Sequence, residues 1–333
     1  MSNIHSNISI FVPHIGCPNM CSFCNQRYIT GKNSAPTAEN VEEAVMTAIS
    51  SKNYDPKTTE IAFFGGSFTA INHNYMITLL NSAFKYVHKG MVAGIRISTR
   101  PDAIDRGILT ILKSYGVTAI EIGAQSMNDK VLKKNNRGHT AKDVQTASKL
   151  IKDMGFSLGI QMMTGLYGDN NDQAIRTAKE IAKLKPDTVR IYPTIVLKDT
   201  DLAALYADGF YKPQTLEDAV DLSVRLLTIF NDANINVIRL GLHSIEPNSY
   251  IAGPWHPAFS ELCISKLYFL GAKKLLNEKG NYILYVSPSS VSKMTGQKRI
   301  NIKKLHELGY DCVVKKNKEL SDFDIIAERV EQL

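Results

Sequence analysis

The chain has 333 residues, 44% of them apolar and 21% charged, which is the composition of an ordinary globular protein. It contains no stretch of about 18 apolar residues, so we expect no membrane-spanning helix. The first seven residues are polar and lack the basic and apolar regions of a secretory signal peptide, which favours a cytoplasmic protein. The net charge of +7 leaves contact with an anionic partner open.

The first part of the chain alternates between short β-branched segments and amphipathic helical patterns. Strands are predicted at Ile8–Pro13, Glu60–Phe64, Gly94–Ser98, Ala119–Gly123, Ser157–Met163 and Thr188–Tyr192. Helices are predicted at Ala38–Ser51, Asn74–Val87, Asp105–Tyr115, Thr140–Met154 and Asp172–Lys183. Six consecutive β-α units predict an α/β fold with a parallel sheet, either a partial barrel or a doubly wound sheet. In both arrangements the site lies at the carboxyl ends of the strands.

The pattern changes after residue 192, where the regular alternation ends. The following elements are predicted as helices at Thr200–Ala207, Leu216–Asp232, Ser260–Lys279 and Val291–Leu308, and as strands at Ile235–Leu240, Tyr282–Val286 and Asp311–Lys315. We therefore predict a barrel domain over residues 1–240. The remaining residues, 241–333, are expected to form an α/β extension that covers the barrel and helps to form the substrate pocket.

Three of the five cysteines lie within eight residues, directly after the first predicted strand. Cys17, Cys21 and Cys24 have the spacing C-x3-C-x2-C. Three thiolates on one tight loop can hold three irons of a cubane cluster, and the fourth iron then stays open for another ligand. The alternatives are a zinc site, for which His14 is the nearest further ligand, and a redox pair that leaves Cys17 unexplained. Cys263 and Cys312 are interpreted as small buried residues.

At these residues the sequence resembles the radical S-adenosylmethionine (SAM) superfamily, and within it the radical domain of the Elongator catalytic subunit. A more distant resemblance is to oxygen-independent coproporphyrinogen oxidase. The resemblance is carried by the cysteine loop with Phe23 and by the segments Ile122–Ser126, Asn136–Thr140 and Tyr192–Thr194. It implies a partial (β/α)6 TIM-like barrel, a [4Fe-4S] cluster held by Cys17, Cys21 and Cys24, and S-adenosyl-L-methionine as the second cofactor. It also implies an external electron donor such as flavodoxin or ferredoxin.

The resemblance assigns a set of cofactor-binding residues: Phe23, Gly65, Gly66, Ser98, Gln125, Arg137 and Gln161. Arg137 matches an arginine that meets the cofactor carboxylate, and the guanidinium fork suits that ligand. Two positions depart from the family pattern, since Ser98 replaces an acidic residue and Gln161 replaces an aspartate. Because Arg96 and Arg100 alternate with Ser98 along the strand, we expect this strand face to be more basic than in the family.

The substrate-side residues are predicted from polar groups near the ends of the later strands. The expected catalytic residues are Glu121, Tyr192, Arg239, His256 and Glu261, with Arg190, His243 and Trp255 nearby. Aromatic and carboxylate groups together suit a flat molecule with N–H edges, so a nucleobase-like small molecule is the expected substrate. A tetrapyrrole or a peptide stays open.

The leading hypothesis from the sequence is queuine lyase, a carbon–nitrogen lyase that releases 7-aminomethyl-7-deazaguanine in queuosine salvage. It rests on the resemblance and on the expectation that 333 residues leave no room for an acetyltransferase domain. The alternatives are a tRNA-modifying radical SAM enzyme, a coproporphyrinogen-oxidase-like enzyme and a non-catalytic metal-binding protein. Basic residues crowd the C-terminal region and predict either a solvated surface or RNA contact: Lys293, Lys298, Arg299, Lys303, Lys304, Lys315, Lys316 and Lys318.

Overall fold

The computed structural model describes residues 6–13, 20–25, 35–242 and 245–332. These residues form two compact units. The first unit contains the chain up to Thr215 together with Leu226–Trp255, and the second contains Leu216–Arg225 and the chain from His256 onward. Whether residues 241–333 cover the barrel and contribute to the substrate pocket stays a prediction.

The first unit is built on a seven-stranded sheet. Its strands are β1 (Ser6–Val12), β2 (Thr59–Gly65), β3 (Gly94–Thr99), β4 (Val117–Gln125), β5 (Ser157–Thr164), β6 (Thr188–Pro193) and β8 (Asn236–Leu240). Two short strands, β7 (Val196–Leu197) and β9 (Tyr250–Ala252), pair with each other in antiparallel fashion. Most predicted strand limits agree with the observed ones to within one or two residues.

Helices follow most of the strands of the first unit. They are α1 (Ala38–Ile49), α2 (His73–His88), α3 (Arg106–Ser114), α4 (Asp129–Lys134), α5 (Ala141–Asp153), α6 (Asn171–Lys183), α7 (Asp201–Ala207) and α8 (Leu216–Asp232), of which α8 runs across the unit boundary in the sequence. Side-chain caps explain where many of them begin. Thr37 and Thr140 each form a capping box with the residue three positions later, which satisfies amides that the first helical turn leaves unbonded.

The strand order decides between the two predicted sheet types. The order is β1-β2-β3-β4-β5-β6-β8, and every neighbouring pair is parallel. A doubly wound sheet would reverse its order at a switch point, whereas here each strand is added to the same side of the previous one. Right-handed crossovers then place the connecting helices on one face, and the sheet curls around the other face. The partial-barrel prediction is confirmed, with a seventh strand in addition to the six.

The second unit has its own three-stranded sheet and apolar core. Its elements are α9 (Phe259–Leu275), β10 (Gly280–Val286), α10 (Val291–Thr295), α11 (Ile300–Glu307), β11 (Tyr310–Lys316) and β12 (Ile325–Val330). The strand order is β11-β10-β12, with β10 parallel to β11 and antiparallel to β12. Helix and strand side chains bury a common cluster that includes Tyr268, Leu284, Val286, Met294 and Leu305. This arrangement confirms an α/β character for the C-terminal extension.

Two sequence predictions for the second unit were wrong, and one strand was missed. The helix predicted at Val291–Leu308 is broken, because Gly296, Lys298 and Arg299 have positive φ angles of 74°, 50° and 60°, which end one helix before the next begins. The helix predicted at Ser260–Lys279 ends at Leu275. Strand β12 was missed because its polar residues interrupt the apolar pattern.

Within the described residues, no helix combines the length and the apolar character needed to cross a lipid bilayer.

Candidate active site

The two described cysteines of the motif lie on one tight turn. The Cys24 backbone N–H donates to the Cys21 carbonyl oxygen at 3.0 Å, and both side chains are partly exposed. Cys17 and His14 lie outside the described residues. The described part of the chain holds no group of three His, Cys, Asp or Glu side chains that could bind a metal. Cys21 and Cys24 are thus near each other, and their binding of the cluster together with Cys17 stays a prediction.

Asn135 anchors this cysteine turn and was missed from the sequence as a site residue. It is fully buried at the end of α4, where its side-chain oxygen accepts from Ser22 Oγ at 2.9 Å and its carbonyl oxygen from Ser22 N at 3.2 Å. Its amide nitrogen donates to the carbonyl oxygens of Val131 and Tyr167. A buried amide with every group bonded fixes the turn against the barrel.

Phe23 supplies the apolar part of the same anchor. Its ring packs against a cluster that contains Val131, Met163 and Leu166, beside Tyr192. It also packs against a second cluster that includes Tyr211. The structure thus gives Phe23 a packing role, and its contact with the cofactor stays a prediction.

Arg137 contacts the cysteine turn directly. Its Nη1 donates to Cys21 Sγ at 3.1 Å, and its Nη2 donates to the Gly123 carbonyl oxygen at 2.7 Å. Its Nε is buried and has no hydrogen-bond partner within the described residues. Gly123 makes room for this arrangement, since a Cβ there would lie 3.3 Å from Arg137 Nη2 and 2.9 Å from Gln125 Nε2.

Gln125 ends β4 in a strained conformation. Its φ of 63° lies in the left-handed region, and the register with β5 shifts between Gly123 and Gln125, which marks a bulge. Bulges at strand ends redirect side chains, and strained non-glycine residues concentrate at functional sites. The side-chain oxygen of Gln125 is buried without a partner in the described part of the chain.

Ser98 adds a third buried polar atom that lacks a partner. It lies near the end of β3, and its Oγ accepts or donates no hydrogen bond among the described residues. Leaving a buried polar group unbonded costs about 1 to 3 kcal/mol. Three such atoms lie on Ser98, Gln125 and Arg137, and their mixed donor and acceptor character suits a polar ligand. Contact of these three residues with S-adenosylmethionine stays a prediction.

The two glycines at the end of β2 are required by packing against β1. Gly65 has a φ of 112°, and a Cβ on it would lie 2.4 Å from Phe11 Cζ. A Cβ on Gly66 would lie 3.0 Å from the Pro13 carbonyl oxygen. The missing side chains let the two strand ends approach each other. Contact of both glycines with the cofactor stays a prediction.

Glu121 is the centre of an ion-pair network inside the barrel. Its side chain is 1% exposed and accepts from Arg190 Nε at 2.8 Å, Arg190 Nη2 at 3.0 Å and Arg96 Nη1 at 3.4 Å. Gln161 Nε2 donates to the same carboxylate at 3.1 Å. The absent side chain of Gly159 admits Glu121, because a Cβ there would lie 2.6 Å from its Cγ. Both carboxylate oxygens are thus committed to neighbours, which favours a positioning role over direct catalysis.

Carboxylates pair with the two arginines that flank Ser98, and whether this face is more basic than in the family stays a prediction. Arg96 is paired with Glu60 at 2.9 Å as well as with Glu121, and the Arg100 guanidinium contacts Asp102 at 2.6 Å. The carboxylates come from neighbouring strands and from the loop after β3, so the strand pattern alone did not reveal them. The positive charge near Ser98 is therefore largely balanced.

Tyr192 and Arg190 point to the same region of the barrel interior. The Arg190 guanidinium lies 5.4 Å from the centre of the Phe64 ring, across the barrel from β6 to β2. Burial raises the pKa of Tyr192, and the nearby Arg190 opposes that shift. Tyr192 therefore stays a neutral hydrogen-bonding group at physiological pH, beside the ring of Phe23.

The remaining predicted substrate residues are not brought into one cluster by the described contacts. Arg239 donates to the carbonyl oxygens of Gly241 and Leu242, and His243 lies outside the described residues. In the second unit, His256 Nδ1 accepts from Ala258 N at 3.0 Å, and Glu261 Oε2 accepts from Gln297 Nε2 at 3.4 Å. These are local contacts, and catalytic roles for the three residues stay predictions.

His139 is a buried residue of the site region to which the sequence gave no role. Its Nε2 lies 3.2 Å from the Ala124 carbonyl oxygen, and its Nδ1 has no partner among the described residues. Burial, assisted by the nearby positive charge of Arg137, lowers the pKa of His139 to about 4. The ring is therefore neutral near pH 7. Its position two residues after Arg137 was the available sequence signal.

The two isolated cysteines belong to the core of the second unit. Cys263 and Cys312 are 0% and 6% exposed. Burial raises the pKa of Cys263 to about 12 and that of Cys312 to about 11. Neither thiol is available as a ligand, as the sequence predicted.

Comparison with known families now decides the class. The model of the radical SAM superfamily matches residues 11–181, which is just over half of the chain, and a radical SAM C-terminal domain model matches residues 186–268. The chain belongs to the radical SAM superfamily. Its cofactors are a [4Fe-4S] cluster and S-adenosylmethionine, and it is a radical SAM enzyme. This excludes the zinc, redox-pair and non-catalytic interpretations of the cysteine loop.

Curated relatives place the chain near Elongator proteins. Elongator complex protein 3 of Homo sapiens is 32% identical over 190 residues, which cover 51% of this chain and 35% of that protein. A tRNA uridine(34) acetyltransferase of Methanocaldococcus jannaschii is 33% identical over 129 residues, covering 38% and 24% of the two chains. The chain thus spans about a third or less of the length of these relatives.

A solved structure has the same fold. Elp3 of Methanocaldococcus infernus with an N-terminal deletion superposes with a TM-score of 0.62 at 22% identity, covering 84% of this chain and 66% of that one. This likeness confirms the predicted radical SAM barrel.

Proposed function

We propose that this radical SAM enzyme acts on a nucleobase within tRNA. The observation that best supports this proposal is the match to curated relatives, one of which is named a tRNA uridine(34) acetyltransferase. The radical SAM model matches residues 11–181, which include the cysteine turn and Ser98, Gln125 and Arg137. The tRNA-modifying alternative therefore has more support than the small-molecule hypothesis.

The residues of the barrel suit the chemistry of the bound cofactors. When bound and reduced, the cluster and S-adenosylmethionine supply a 5′-deoxyadenosyl radical that abstracts a hydrogen atom from the substrate. Arg137 Nε, Gln125 Oε1 and Ser98 Oγ offer the polar contacts that hold the cofactor. The Glu121 network beneath them closes the interior with bonded groups, which keeps the site rigid and limits the entry of water.

Charge in the second unit gives further support for an RNA substrate. Between positions 293 and 318 the chain has eight basic and two acidic residues. Lys293 pairs with Asp322, but the other seven basic side chains are exposed and have no ion-pair partner among the described residues. Exposed and unpaired cations are available to phosphate groups, whereas cations in surface ion pairs are partly neutralised.

The test is the formation of 5′-deoxyadenosine by the anaerobically reconstituted enzyme with S-adenosylmethionine and dithionite. We expect unfractionated tRNA to increase the rate, and Cys21→Ala to abolish the product. Cys263→Ala is the matched control, because it removes a buried thiol that binds no metal. A rate that is independent of tRNA, from enzyme with an intact cluster, would reject the proposed substrate.

Queuine lyase stays a narrower prediction that the same assay covers. No contact among the described residues selects queuine, and a carbon–nitrogen lyase reaction has support only from the sequence resemblance. Adding queuine in place of tRNA and measuring 7-aminomethyl-7-deazaguanine decides it. Release of that product would replace the tRNA proposal, and intact queuine would end the lyase hypothesis. Coproporphyrinogen III serves as a third substrate in the same series.

A further inference from the structure

A cavity of about 750 Å³ lies in the barrel unit, and its lining contains none of the predicted cofactor-binding or catalytic residues. It is formed by the loop after β5 and by the segment after α7, and it is lined by Gly165–Asp172, Phe210–Lys212 and Gln214. Tyr167 and Tyr211 line it and pack in the same apolar cluster as Phe23. The cavity and the cysteine turn thus share one wall at the carboxyl end of the barrel. Its volume suits one nucleoside.

Phe210 presents an aromatic ring at the mouth of this cavity. The residue is 70% exposed, although burying such a ring would stabilise the protein by about 1.5 to 3 kcal/mol. Its backbone is fixed, since the N–H groups of Phe210 and Tyr211 both donate to the Leu205 carbonyl oxygen at 2.9 and 3.0 Å. The preceding Gly209 has a φ of 77°, which turns the chain sharply at the end of α7. A rigid turn that holds an aromatic ring in solvent resembles a stacking platform.

The carboxyl groups of Asp169 and Asp172 keep acceptor capacity in this cavity. The other polar side chains bond to neighbours: Asn170, Asn171, Tyr211 and Gln214. Asp169 accepts one hydrogen bond, from Asn170 N at 2.9 Å, and its carboxyl group makes no other bond within the described residues. Asp172 and Lys212 are exposed there and have no ion-pair partner in that part of the chain. Acceptor groups of this kind match the N1–H and exocyclic amine donors of guanine, whereas adenine presents an acceptor at N1.

We propose that this cavity binds a guanine-type nucleobase of the RNA, stacked on Phe210 and read by the carboxyl group of Asp169. Lys212 contributes a positive charge for the phosphate of the same nucleotide. The inference rests on the proposed RNA substrate and deepens it: one nucleotide enters the barrel for chemistry while a neighbouring one occupies this pocket. The pocket then sets which sequence beside the target base is accepted.

The experiment measures binding of fluorescein-labelled pentanucleotide RNAs to the cluster-loaded enzyme by fluorescence anisotropy. The central base is guanine, hypoxanthine, which lacks the 2-amino group, or adenine. We expect guanine to bind more tightly than hypoxanthine and adenine to bind most weakly. Base stacking on an aromatic ring contributes about 1 to 3 kcal/mol to binding. Phe210→Ala is therefore expected to lower the affinity for the guanine RNA by about 5- to 150-fold.

Two variants separate stacking from base reading. Asp169→Asn is expected to remove most of the preference for guanine over adenine, whereas Phe210→Trp retains binding. Tyr206→Ala is the matched control, since Tyr206 is an exposed aromatic residue that does not line the cavity. Circular dichroism melts confirm that each variant is folded.

The proposal is overturned if no pentanucleotide binds, if Phe210→Ala binds as the wild type does, or if Asp169→Asn leaves the guanine preference intact. These outcomes are independent of the test of the proposed function. Turnover stimulated by tRNA with an unaffected Phe210→Ala variant keeps the function and rejects the pocket. Guanine-selective binding without tRNA-stimulated turnover keeps the pocket and rejects the function.

Discussion

At the scale of single residues, Arg137 links the cluster loop to the barrel. One guanidinium bonds the sulfur of Cys21, a predicted cluster ligand, and the carbonyl oxygen of Gly123, while its Nε has no partner among the described residues. Hydrogen bonds to cluster sulfurs are among the factors that set the reduction potential of iron–sulfur proteins. The residue is thus placed to affect the cluster and to meet the cofactor carboxylate that the sequence resemblance implies.

We therefore expect Arg137→Met to lower the reduction potential of the reconstituted cluster, because the Cys21 thiolate loses a charged N–H donor. The measurement is a redox titration followed by electron paramagnetic resonance, without S-adenosylmethionine. Arg176→Met, at an exposed position of α6, is the control and is expected to leave the potential unchanged. Equal potentials for all three proteins would show that the bond to Cys21 has no electronic effect.

His139 makes stability depend on pH in a defined window. Its pKa is about 4 in the folded protein and near 6.5 in the unfolded chain, so the unfolded chain binds the proton first as the pH falls. The stabilising effect is complete above pH 6.5 and is lost between pH 6.5 and 4, by about 3 kcal/mol. Urea unfolding at several pH values measures it. His139→Gln is expected to flatten this part of the profile, while His88→Gln, at an exposed site, retains it.

At the scale of elements, the cysteine turn depends on the end of α4. Asn135 supplies four hydrogen bonds there, two of them to Ser22. Leu202 N, in the first turn of α7, adds a bond to the Ser22 carbonyl oxygen at 2.8 Å. Two helices thus hold one turn of the loop, so the cluster site is preorganised by secondary structure.

Asn135→Ala removes the side-chain half of this anchor. We expect a loss of about 1 to 3 kcal/mol in the free energy of unfolding, since the Ser22 hydroxyl group is left buried and unbonded. Reconstitution is expected to give fewer iron atoms per chain, measured by a colorimetric iron assay. Asn231→Ala, at the exposed end of α8, is the matched control. Full iron loading of Asn135→Ala would show that the turn forms without the anchor.

The Glu121 network joins five neighbouring strands through their side chains. Arg96 of β3, Gln161 of β5 and Arg190 of β6 all donate hydrogen bonds to Glu121 of β4, and Arg96 also donates to Glu60 of β2. Removing one partner of a buried ion pair leaves an uncompensated charge, so Glu121→Ala is expected to destabilise the fold by about 3 to 5 kcal/mol. Urea unfolding measures this. Glu180→Ala, which breaks a surface pair with Lys183, is expected to cost less than about 1 kcal/mol.

At the scale of the whole molecule, the distribution of charge bears on the RNA proposal. Arg96 and Arg190 in the barrel interior are balanced by carboxylates, whereas the exposed lysines of β11 and α11 have no such partners among the described residues. These lysines are therefore available to phosphate groups.

We expect the double variant Lys315→Gln and Lys316→Gln to weaken tRNA binding to a similar extent for every tRNA sequence. The negative slope of the logarithm of the binding constant against the logarithm of the salt concentration is expected to become shallower by about 2, because each phosphate contact contributes roughly one unit. Filter binding between 50 and 200 mM salt measures this. Lys149→Gln and Lys183→Gln, whose lysines form surface ion pairs, serve as the control. An unchanged slope would place the RNA contact elsewhere.

The sequence by itself determined the order of the strands and helices, the cysteine motif and the class of chemistry. Period-2 and period-3.6 patterns depend on nearby residues, and three cysteines on one loop need no distant partner to be recognised. The resemblance to the radical SAM superfamily pointed to Ser98, Gln125 and Arg137, each of which has a buried polar atom without a partner among the described residues.

Only the tertiary structure decided which charges meet. Glu121, Arg96 and Arg190 are far apart in sequence, and their pairing follows from the order and register of parallel strands. The anchoring role of Asn135, the neutral state of His139 and the cavity beside Phe210 likewise come from contacts between separate loops. Such contacts leave no periodic signal, because they depend on where distant segments are brought together by the fold.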